Sequence, residues 1–210
     1  PLNECPSDSC GTIEDGCGGT LDCGRCPCNG SEVVEIGCGA CNLGVRTCDG
    51  TSDVGSCNLP GGEVLSNVTE DDCDAFVYVN LMGTTDGDGT RDSARNDLQS
   101  AIDQAANDDA LGVIVGGTAN SPTLAEPIEI VSGIHILGGW NAIFERTGEP
   151  NEFEVEAQTD GHSIGLVANG ISEPTVLSGI SLVVADATTW SAGAQIDASP
   201  GLAVDNVSVQ

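Results

Sequence analysis

The chain contains no lysine, and five arginines are its only strong bases among 210 residues. Against them stand 33 acidic residues, which give a formal net charge of -28 at pH 7. A surface of this charge repels nucleic-acid phosphates and anionic lipid. The composition therefore argues against a nucleic-acid or membrane-surface partner. It favours the solvated surface of a secreted protein, with collection of Ca²⁺ by the carboxylates as the alternative.

Aromatic side chains are also scarce, at 3% of the sequence. A core must then be built mainly from Val, Ile, Leu, Ala and closely packed Gly. No apolar run approaches the roughly 18 residues of a membrane span, so no membrane insertion is predicted in this segment. The 29 glycines indicate many turns and argue against a mainly helical protein.

Cysteine is absent after residue 73, although the residues up to that point hold all 11. Cysteines at such short spacing persist as disulfides in an oxidising compartment, so we predict an extracellular or cell-surface protein. The predicted disulfide cysteines are Cys5, Cys10, Cys17, Cys23, Cys26, Cys28, Cys38, Cys41, Cys48, Cys57 and Cys73. Because their number is odd, one is unpaired or pairs outside the chain. Cys73 is the best candidate either to clamp the two halves of the chain together or to link two chains.

The cysteine distribution predicts four segments. Residues 1–27 and 28–60 are disulfide-stapled modules too small to bury a core alone, 61–75 is a linker, and 76–210 is a larger domain. The two modules resemble small modules attached to secreted bacterial surface and glycan-active proteins, which implies a tether. The pairs Cys23/Cys26 and Cys38/Cys41 are spaced nearly as in a zinc ribbon, so zinc is an alternative.

The larger segment shows one helical pattern and many short apolar strands. Residues 96–99 (NDLQ) predict a helix start in which Asn96 is the cap and Gln99 is the third helical residue, followed by an apolar face that includes Leu98 and Ile102. The predicted strands are 76–80, 113–115, 128–131, 134–137, 164–167, 176–177, 180–184 and 202–209. Strands recurring every roughly 20–30 residues without intervening helices predict a coiled stack of parallel strands, with a two-sheet sandwich as the alternative. No stop signal follows the last strand, which predicts further rungs or another subunit beside it.

The order of these elements resembles a known family. The segments 77–80 (VYVN), 87–90 (GDGT), 97–102 (DLQSAI), 113–118 (VIVGGT), 133–140 (GIHILGGW) and 175–180 (TVLSGI) carry the resemblance. They are similar to the N-terminal end of bacterial right-handed parallel β-helix proteins of the pectate-lyase-like superfamily, over about residues 76–210. The resemblance implies a mainly β solenoid whose open end is capped by the N-terminal α-helix. It also implies a secreted protein, either without catalysis or acting on acidic polysaccharides.

The sequence lacks the full set of residues that enzymes of this family use for catalysis. Its lyases use a basic residue and carboxylate-held Ca²⁺, whereas this domain has no lysine and carries Arg146 in a predicted loop. Its hydrolases use paired aspartates with a histidine nearby; Asp160 and His162 are similar to one such element, but the aspartate pair is missing. We predict that His162 is a turn or surface residue and that His135 alternates out of the core. No catalytic residue is therefore predicted.

Two residue sets remain as candidate sites. Asp86, Asp88 and Asp92 lie in an acidic loop that predicts either a solvated turn or a Ca²⁺ site, although Arg91 stands where an EF-hand needs glycine. Asn29, Asn67 and Asn206 fit the N-glycosylation pattern.

The leading functional hypothesis is an extracellular, non-catalytic structural or adhesive surface protein that self-associates through the end of its β-helix. The expected partners are a second copy or a glycan or protein at the cell surface. The alternatives are the N-terminal part of a polysaccharide lyase or hydrolase with catalytic rungs beyond residue 210, and a calcium-dependent glycan-binding module. No cofactor is predicted, with Ca²⁺ as the alternative.

Overall fold

The computed structural model describes residues 12–14, 20–22, 34–48, 56–117, 123–124, 126–147, 150–155, 162–184 and 190–209. Their secondary structure is mainly β, as predicted. The strands are β1 Thr12–Glu14, β2 Thr20–Asp22, β3 Val34–Cys38, β4 Gly44–Cys48, β5 Phe76–Asn80, β6 Gly112–Gly116, β7 Thr123–Leu124, β8 Ile128–Ile130, β9 His135–Trp140, β10 Asn151–Val155, β11 His162–Asn169, β12 Thr175–Val184, β13 Trp190–Asp197 and β14 Leu202–Val209. One α-helix, α1, spans Leu98–Asn107, and 3₁₀-helices span Ala40–Asn42, Gly62–Leu65 and Glu70–Ala75.

The chain divides into two compact units. The first comprises Pro1–Ile36 and Arg46–Cys57, and the second comprises Gly37–Val45 and Asn58–Gln210. In the first unit, β1 and β2 form an antiparallel pair. The predicted module 28–60 is thus divided between the units, because Leu43 is fully buried in the core of the second.

The predicted linker at 61–75 also belongs to the packing of the second unit. Two 3₁₀-helices occupy most of it, and Leu65 is 1% exposed. The second of these helices begins with a capping box, in which Thr69 and Asp72 exchange side-chain and backbone hydrogen bonds. The glycine and acidic residues of segment 61–75 therefore mark helix boundaries and not a flexible spacer.

One series of strand pairs in the second unit, here the first ladder, runs β5–β6–β9–β12–β14. Every pairing in it is parallel, with Val113 opposite Ile136, Ile136 opposite Leu177 and Leu177 opposite Val204. The predicted bounds of β5 and β14 are confirmed, and the strands predicted at 176–177 and 180–184 are one strand, β12.

Two further parallel ladders accompany the first. The second ladder joins β7 to β10 and β10 to the later half of β12, where Ile180 lies opposite Asn151. The third ladder runs β8–β11–β13, with Ile128 opposite Leu166 and Leu166 opposite Ala194. Because all these pairings are parallel, the alternative of an antiparallel sandwich is wrong.

Side chains that alternate along the first ladder enter two different cores. Val77 and Val79 of β5 lie in the inner core, which also contains Ile128, Ile130, Leu166 and Ala168 of the third ladder. Phe76 and Tyr78, pointing the other way, lie in the outer core. The outer core consists of Leu43, Leu65, Phe76, Tyr78, Ile114, Leu137, Trp140, Phe144 and Val176. The first ladder is therefore covered on both faces.

Helix α1 covers the inner core, as the amphipathic pattern predicts. Leu98, Ala101, Ile102 and Ala105 are at most 1% exposed and pack among the inner-core strand residues. The helix begins one residue later than predicted: its N-cap is Asp97 and not Asn96, and the Asp97 carboxylate accepts a hydrogen bond from the backbone N–H of Ser100 at 2.7 Å.

Candidate functional site

The acidic loop at 83–95 lies along the outer edge of β5. The N–H of Tyr78 donates to the carbonyl of Gly89 at 2.7 Å, and the N–H of Asn80 donates to the carbonyl of Arg95 at 2.7 Å. The N–H of Arg95 returns a hydrogen bond to the carbonyl of Tyr78 at 2.9 Å. The loop therefore acts as a partial strand and satisfies much of an edge that would otherwise be open.

The three aspartates predicted as a calcium set have separate local roles in this loop. Asp86 forms an ion pair with Arg95 at 2.7 Å. Asp88 accepts hydrogen bonds from the N–H and the hydroxyl of Thr90, and these bonds lower the pKa of its carboxyl. Asp92 is exposed. Across the described ranges, no three His, Cys, Asp or Glu side chains are grouped so that they could hold a metal ion.

A groove of about 510 Å³ lies between this loop, the first half of β5 and the last turn of α1. We call it the β5 groove. Its lining residues are Asp74, Ala75, Phe76, Val77, Tyr78, Asp88, Gly89, Thr90, Arg91, Gln104, Asp108, Asp109 and Ala110. Four of these are aspartates and one is an arginine, so the lining is predominantly anionic.

The arginines of the second unit are committed to structural contacts. Arg91 donates to the carbonyl of Phe144 at 3.3 Å, and Arg95 donates to both Asp86 and Gln104 at 2.7 Å. Arg146 lies 4.2 Å from the centre of the Trp140 ring and donates to the carbonyl of Gly138 at 2.6 Å. These three cations stabilise loops against the ladders and do not form a group that could clamp a substrate carboxylate.

The prediction that His135 alternates out of the core to an exposed face is wrong about the exposure. His135 is on the outer side of the first ladder, but it is 8% exposed because the outer core covers that side. Its Nδ1 accepts a hydrogen bond from the N–H of Val176 at 3.1 Å, and burial lowers its pKa. His135 is thus a neutral structural acceptor. His162 is the first residue of β11 and lies opposite Trp190.

Asn151 is a polar site that the sequence did not reveal. It is 1% exposed in β10, where its carboxamide oxygen accepts a hydrogen bond from the N–H of Gly139 at 2.6 Å. Its amide nitrogen donates to the carbonyls of Trp140, at 3.1 Å, and Gly117. One side chain therefore satisfies three backbone groups at the end of the first ladder.

Among the described cysteines, one disulfide bond has both of its partners described, and further cysteines are also disulfide-bonded. Cys73 is joined to Cys41 across a sequence separation of 32 residues. This bond lies within the chain, and both of its cysteines belong to the second unit. Cys38 and Cys57 are also disulfide-bonded, and Cys48 is the last residue of β4.

The remaining predicted sites are distributed as follows. Cys5, Cys10, Cys17, Cys23, Cys26, Cys28 and Asn29 lie outside the described residues. Asn67 is exposed after the first 3₁₀-helix of residues 61–75, and Asn206 is exposed in β14. Both asparagines are thus accessible, and nothing in the structure distinguishes them further as modification sites.

Comparison with models of known families, with curated proteins and with solved structures finds no match to this chain. None of the helices in the described part of the chain has the length and apolar content needed to cross a bilayer. The function is therefore argued from the parallel strand ladders, the contacts of the charged side chains and the exposed strand edges.

Proposed function

We propose that the second unit is a right-handed parallel β-helix serving as an extracellular, non-catalytic structural or adhesive element. The observation that carries this proposal is the order in which the chain visits the ladders. It passes from β6 in the first ladder to β7 in the second and β8 in the third, then repeats this order with β9, β10 and β11. A chain that repeats the same three ladders in the same order is coiling. Parallel crossovers are right-handed in nearly all proteins, which supports the handedness.

The third turn supports the same interpretation. β12 pairs with β9 through Leu177 and with β10 through Ile180, so it belongs to the first ladder and then to the second. Gly179, between these residues, has φ 65°, which bends the strand. Asn206 has φ 48° at the corresponding place in β14. Asparagine tolerates this conformation better than other non-glycine residues.

An extracellular setting is supported by the disulfide bonds, which persist in oxidising compartments. A non-catalytic role is supported by the way the charged groups are used. The arginines hold loops, while Asp86 and Asp88 hold the edge loop of β5. The resemblance to secreted β-helix proteins points in the same direction.

The adhesive part of the proposal rests on the β13–β14 end. In the described part of the chain, β13 pairs only with β11 and β14 only with β12. Ile196 and Val204 on these strands are 54% and 52% exposed, whereas Leu177, opposite Val204, is 2% exposed. An exposed parallel edge with apolar side chains is a template for another strand.

The opposite edge of the first ladder is already occupied. Tyr78 and Asn80 of β5 bond to the loop at 83–95, and α1 covers the inner core beside this strand. A second copy would therefore meet the first through the β13–β14 end of both molecules. Such a contact is isologous and gives a closed dimer, whereas a head-to-tail contact would give fibres.

The test is the mass of the purified chain in sedimentation velocity at several salt concentrations. We expect a dimer whose affinity rises with salt, because a net charge of -28 on each copy opposes association until it is screened. The double variant Ile196→Lys/Val204→Lys should be monomeric. Ile143→Lys, at a residue 67% exposed in the loop after β9, is the matched control and should remain dimeric.

Four outcomes would count against the proposal. A monomer under all salt conditions removes self-association, and fibres contradict the closed dimer. Release of unsaturated sugars from a polyuronate would favour the lyase alternative. A fall in melting temperature on chelation would favour the calcium-dependent alternative.

A further inference from the structure

The strand β11 ends in an asparagine that is followed directly by a glycine. Asn169, the last residue of β11, and Gly170 are both exposed. Gly170 has φ 65°, and a Cβ at this position would meet no heavy atom within 4 Å. The peptide bond between these two residues is therefore open to solvent.

This pair of residues carries a reaction of its own. The backbone nitrogen of Gly170, which no Cβ shields, attacks the side-chain Cγ of Asn169 and gives up its proton to water or hydroxide. The Cγ–Nδ2 bond breaks, ammonia leaves, and a five-membered succinimide ring remains. Water then opens one of the two ring carbonyls and gives aspartate or isoaspartate. In isoaspartate the backbone runs through the former side chain. Water is the only co-reactant.

The pairing of β13 with β11 blocks this reaction in the folded chain. The N–H of Gly170, which must lose its proton, donates to the carbonyl of Asp197 at 3.0 Å. Asn169 is paired in register with Asp197, so it is held in the extended conformation, from which the Gly170 nitrogen does not reach Cγ. The hydroxyl of Ser199 donates to the same carbonyl of Asp197 at 2.8 Å. Release of residues 197–199 from β11 would thus free both reacting groups.

The segment that protects Gly170 has features that favour its release. Ala198, between Asp197 and Ser199, has φ 44°, a conformation that residues with a Cβ rarely adopt. In the described part of the chain, β13 pairs only with β11, so its other edge is not held by a strand. Strands with few pairings open more often than those of the core. Transient release of β13 is therefore the event that exposes the Asn169–Gly170 bond to reaction.

The product of the reaction would hinder the return of β13. Side chains at paired positions of neighbouring strands lie on the same face of the sheet, so residue 169 adjoins the carboxylate of Asp197. Aspartate at position 169 would place two like charges side by side, which destabilises a strand pair. Isoaspartate would also lengthen the backbone by one carbon and disturb the register of the pair.

We infer that Asn169–Gly170 is a site of spontaneous deamidation, which is closed while β13 pairs with β11 and opens when β13 is released. The reaction converts a transient opening of this strand into a lasting one. This inference goes beyond the proposed function and does not depend on it, because the reaction takes place within a single chain.

The first experiment follows deamidation of Asn169 by peptide mapping and mass spectrometry, in a mildly alkaline buffer of low salt. The folded chain is compared with the peptide acetyl-Leu-Val-Ala-Asn-Gly-Ile-Ser-amide, which has the sequence of residues 166–172 without β13 beside it. We expect the folded chain to react at least about tenfold more slowly, the factor that corresponds to an opening free energy of about 1.4 kcal/mol.

Two serine variants separate release of β13 from a general loosening of the last strands. Ser199→Ala removes the hydroxyl that donates to the carbonyl of Asp197. It should speed deamidation of Asn169 by about two- to tenfold, as expected for the loss of one hydrogen bond. Ser208→Ala is the matched control, because it removes a hydrogen bond from β14 to Ser181 at 2.8 Å and leaves the contacts of β13 in place. It should react at the wild-type rate.

A third variant tests the effect of the product. Asn169→Asp introduces the charge of the product without the reaction. Amide hydrogen exchange of residues 194–197 should become about two- to fivefold faster, because like charges weaken the pairing of β13 with β11. Asn67→Asp is the control, since it adds the same charge at an exposed residue outside the ladders. It should leave the exchange of residues 194–197 unchanged.

Four results would overturn the inference. They are equal rates in the folded chain and the peptide, a Ser199→Ala variant that reacts no faster than the wild type, equal acceleration in Ser208→Ala, or unchanged hydrogen exchange in Asn169→Asp. All these measurements are made at low salt, where self-association is expected to be weakest. Failure of the self-association proposal would therefore leave them unaffected.

Discussion

Asn151 offers the sharpest test of how the ladders are held together. Its side chain occupies a site that is 1% exposed and bonds to the N–H of Gly139 and to the carbonyls of Gly117 and Trp140. Asn151→Ala would leave the N–H of Gly139 and the carbonyl of Gly117 without this partner, while the carbonyl of Trp140 would keep its hydrogen bond from the N–H of Gly117 at 3.1 Å. An unsatisfied buried group costs about 1–3 kcal/mol, so two such groups with partial relaxation give a total of about 2–4 kcal/mol.

The measurement is urea and thermal unfolding with the disulfides intact. For a chain of this size a loss of that magnitude lowers the melting temperature by roughly 10 °C. The control is Asn169→Ala, at an exposed residue that ends β11, and it should cost less than about 0.5 kcal/mol.

A second substitution at the same position distinguishes hydrogen bonding from packing. Asn151→Asp keeps the shape but places a carboxylate oxygen against two carbonyl oxygens. Its deficit relative to the wild type should be larger at pH 7 than at pH 4.5, where the protonated acid can donate one hydrogen bond. The reasoning is refuted if Asn151→Ala lies within 1 kcal/mol of the wild type, or if the Asn151→Asp deficit does not change with pH.

Three further predictions concern other contacts. Burial lowers the pKa of His135 in the folded chain, so the unfolded chain binds more protons below about pH 6.5. The unfolding free energy should therefore fall as the pH drops from about 7 to 5.5. His135→Asn should flatten this dependence of the unfolding free energy on pH. Gly138→Ala should cost about 3 kcal/mol or more by urea unfolding, because its Cβ would lie 2.1 Å from the carbonyl oxygen of Gly179. Replacing Cys41 and Cys73 by serine should cost about 3–4 kcal/mol by thermal unfolding, since their bond closes a loop with a separation of 32 residues.

Each of these has an outcome that would contradict it. For His135→Asn that outcome is an unchanged pH slope. Gly170→Ala adds a Cβ where nothing lies within 4 Å, so it should cost only about 1 kcal/mol for its positive φ. A cost as small as this in Gly138→Ala would remove the close-approach argument. A serine pair as stable as the wild type would show that the disulfide does not constrain the unfolded chain.

The sequence predicted those elements whose apolar residues follow a simple period. The alternation of β5 and the apolar face of α1 gave correct elements, because one strand period or helix period decides which side is buried. β10 was not predicted, since Glu152 and Glu154 alternate with Asn151 and Phe153 and resemble a charged loop. β13 was not predicted because its small residues show no apolar period.

The errors in the candidate site have a common physical cause. Alternation correctly predicts that His135 faces the side opposite to Ile136, but it does not predict that this side is covered. The cover comes from Leu43 and Leu65, in segments predicted as a cysteine module and a linker. The β5 groove likewise depends on contacts between the loop at 83–95 and α1, which no local pattern specifies.

The outer core imposes an order of events on folding. Leu43 and Leu65 are made early in the chain, yet the residue that completes their packing, Val176, emerges more than 100 residues later. Val176 also packs closely against Gly61, where an added Cβ would lie 2.4 Å from one of the Val176 methyl groups. The Cys41–Cys73 bond joins nearer residues and can form before β12 arrives. In an oxidising compartment, this disulfide would hold the segment that contains Leu43 and Leu65 as a compact loop until β12 docks against it. In a reducing compartment, the same segment would lack this constraint during synthesis.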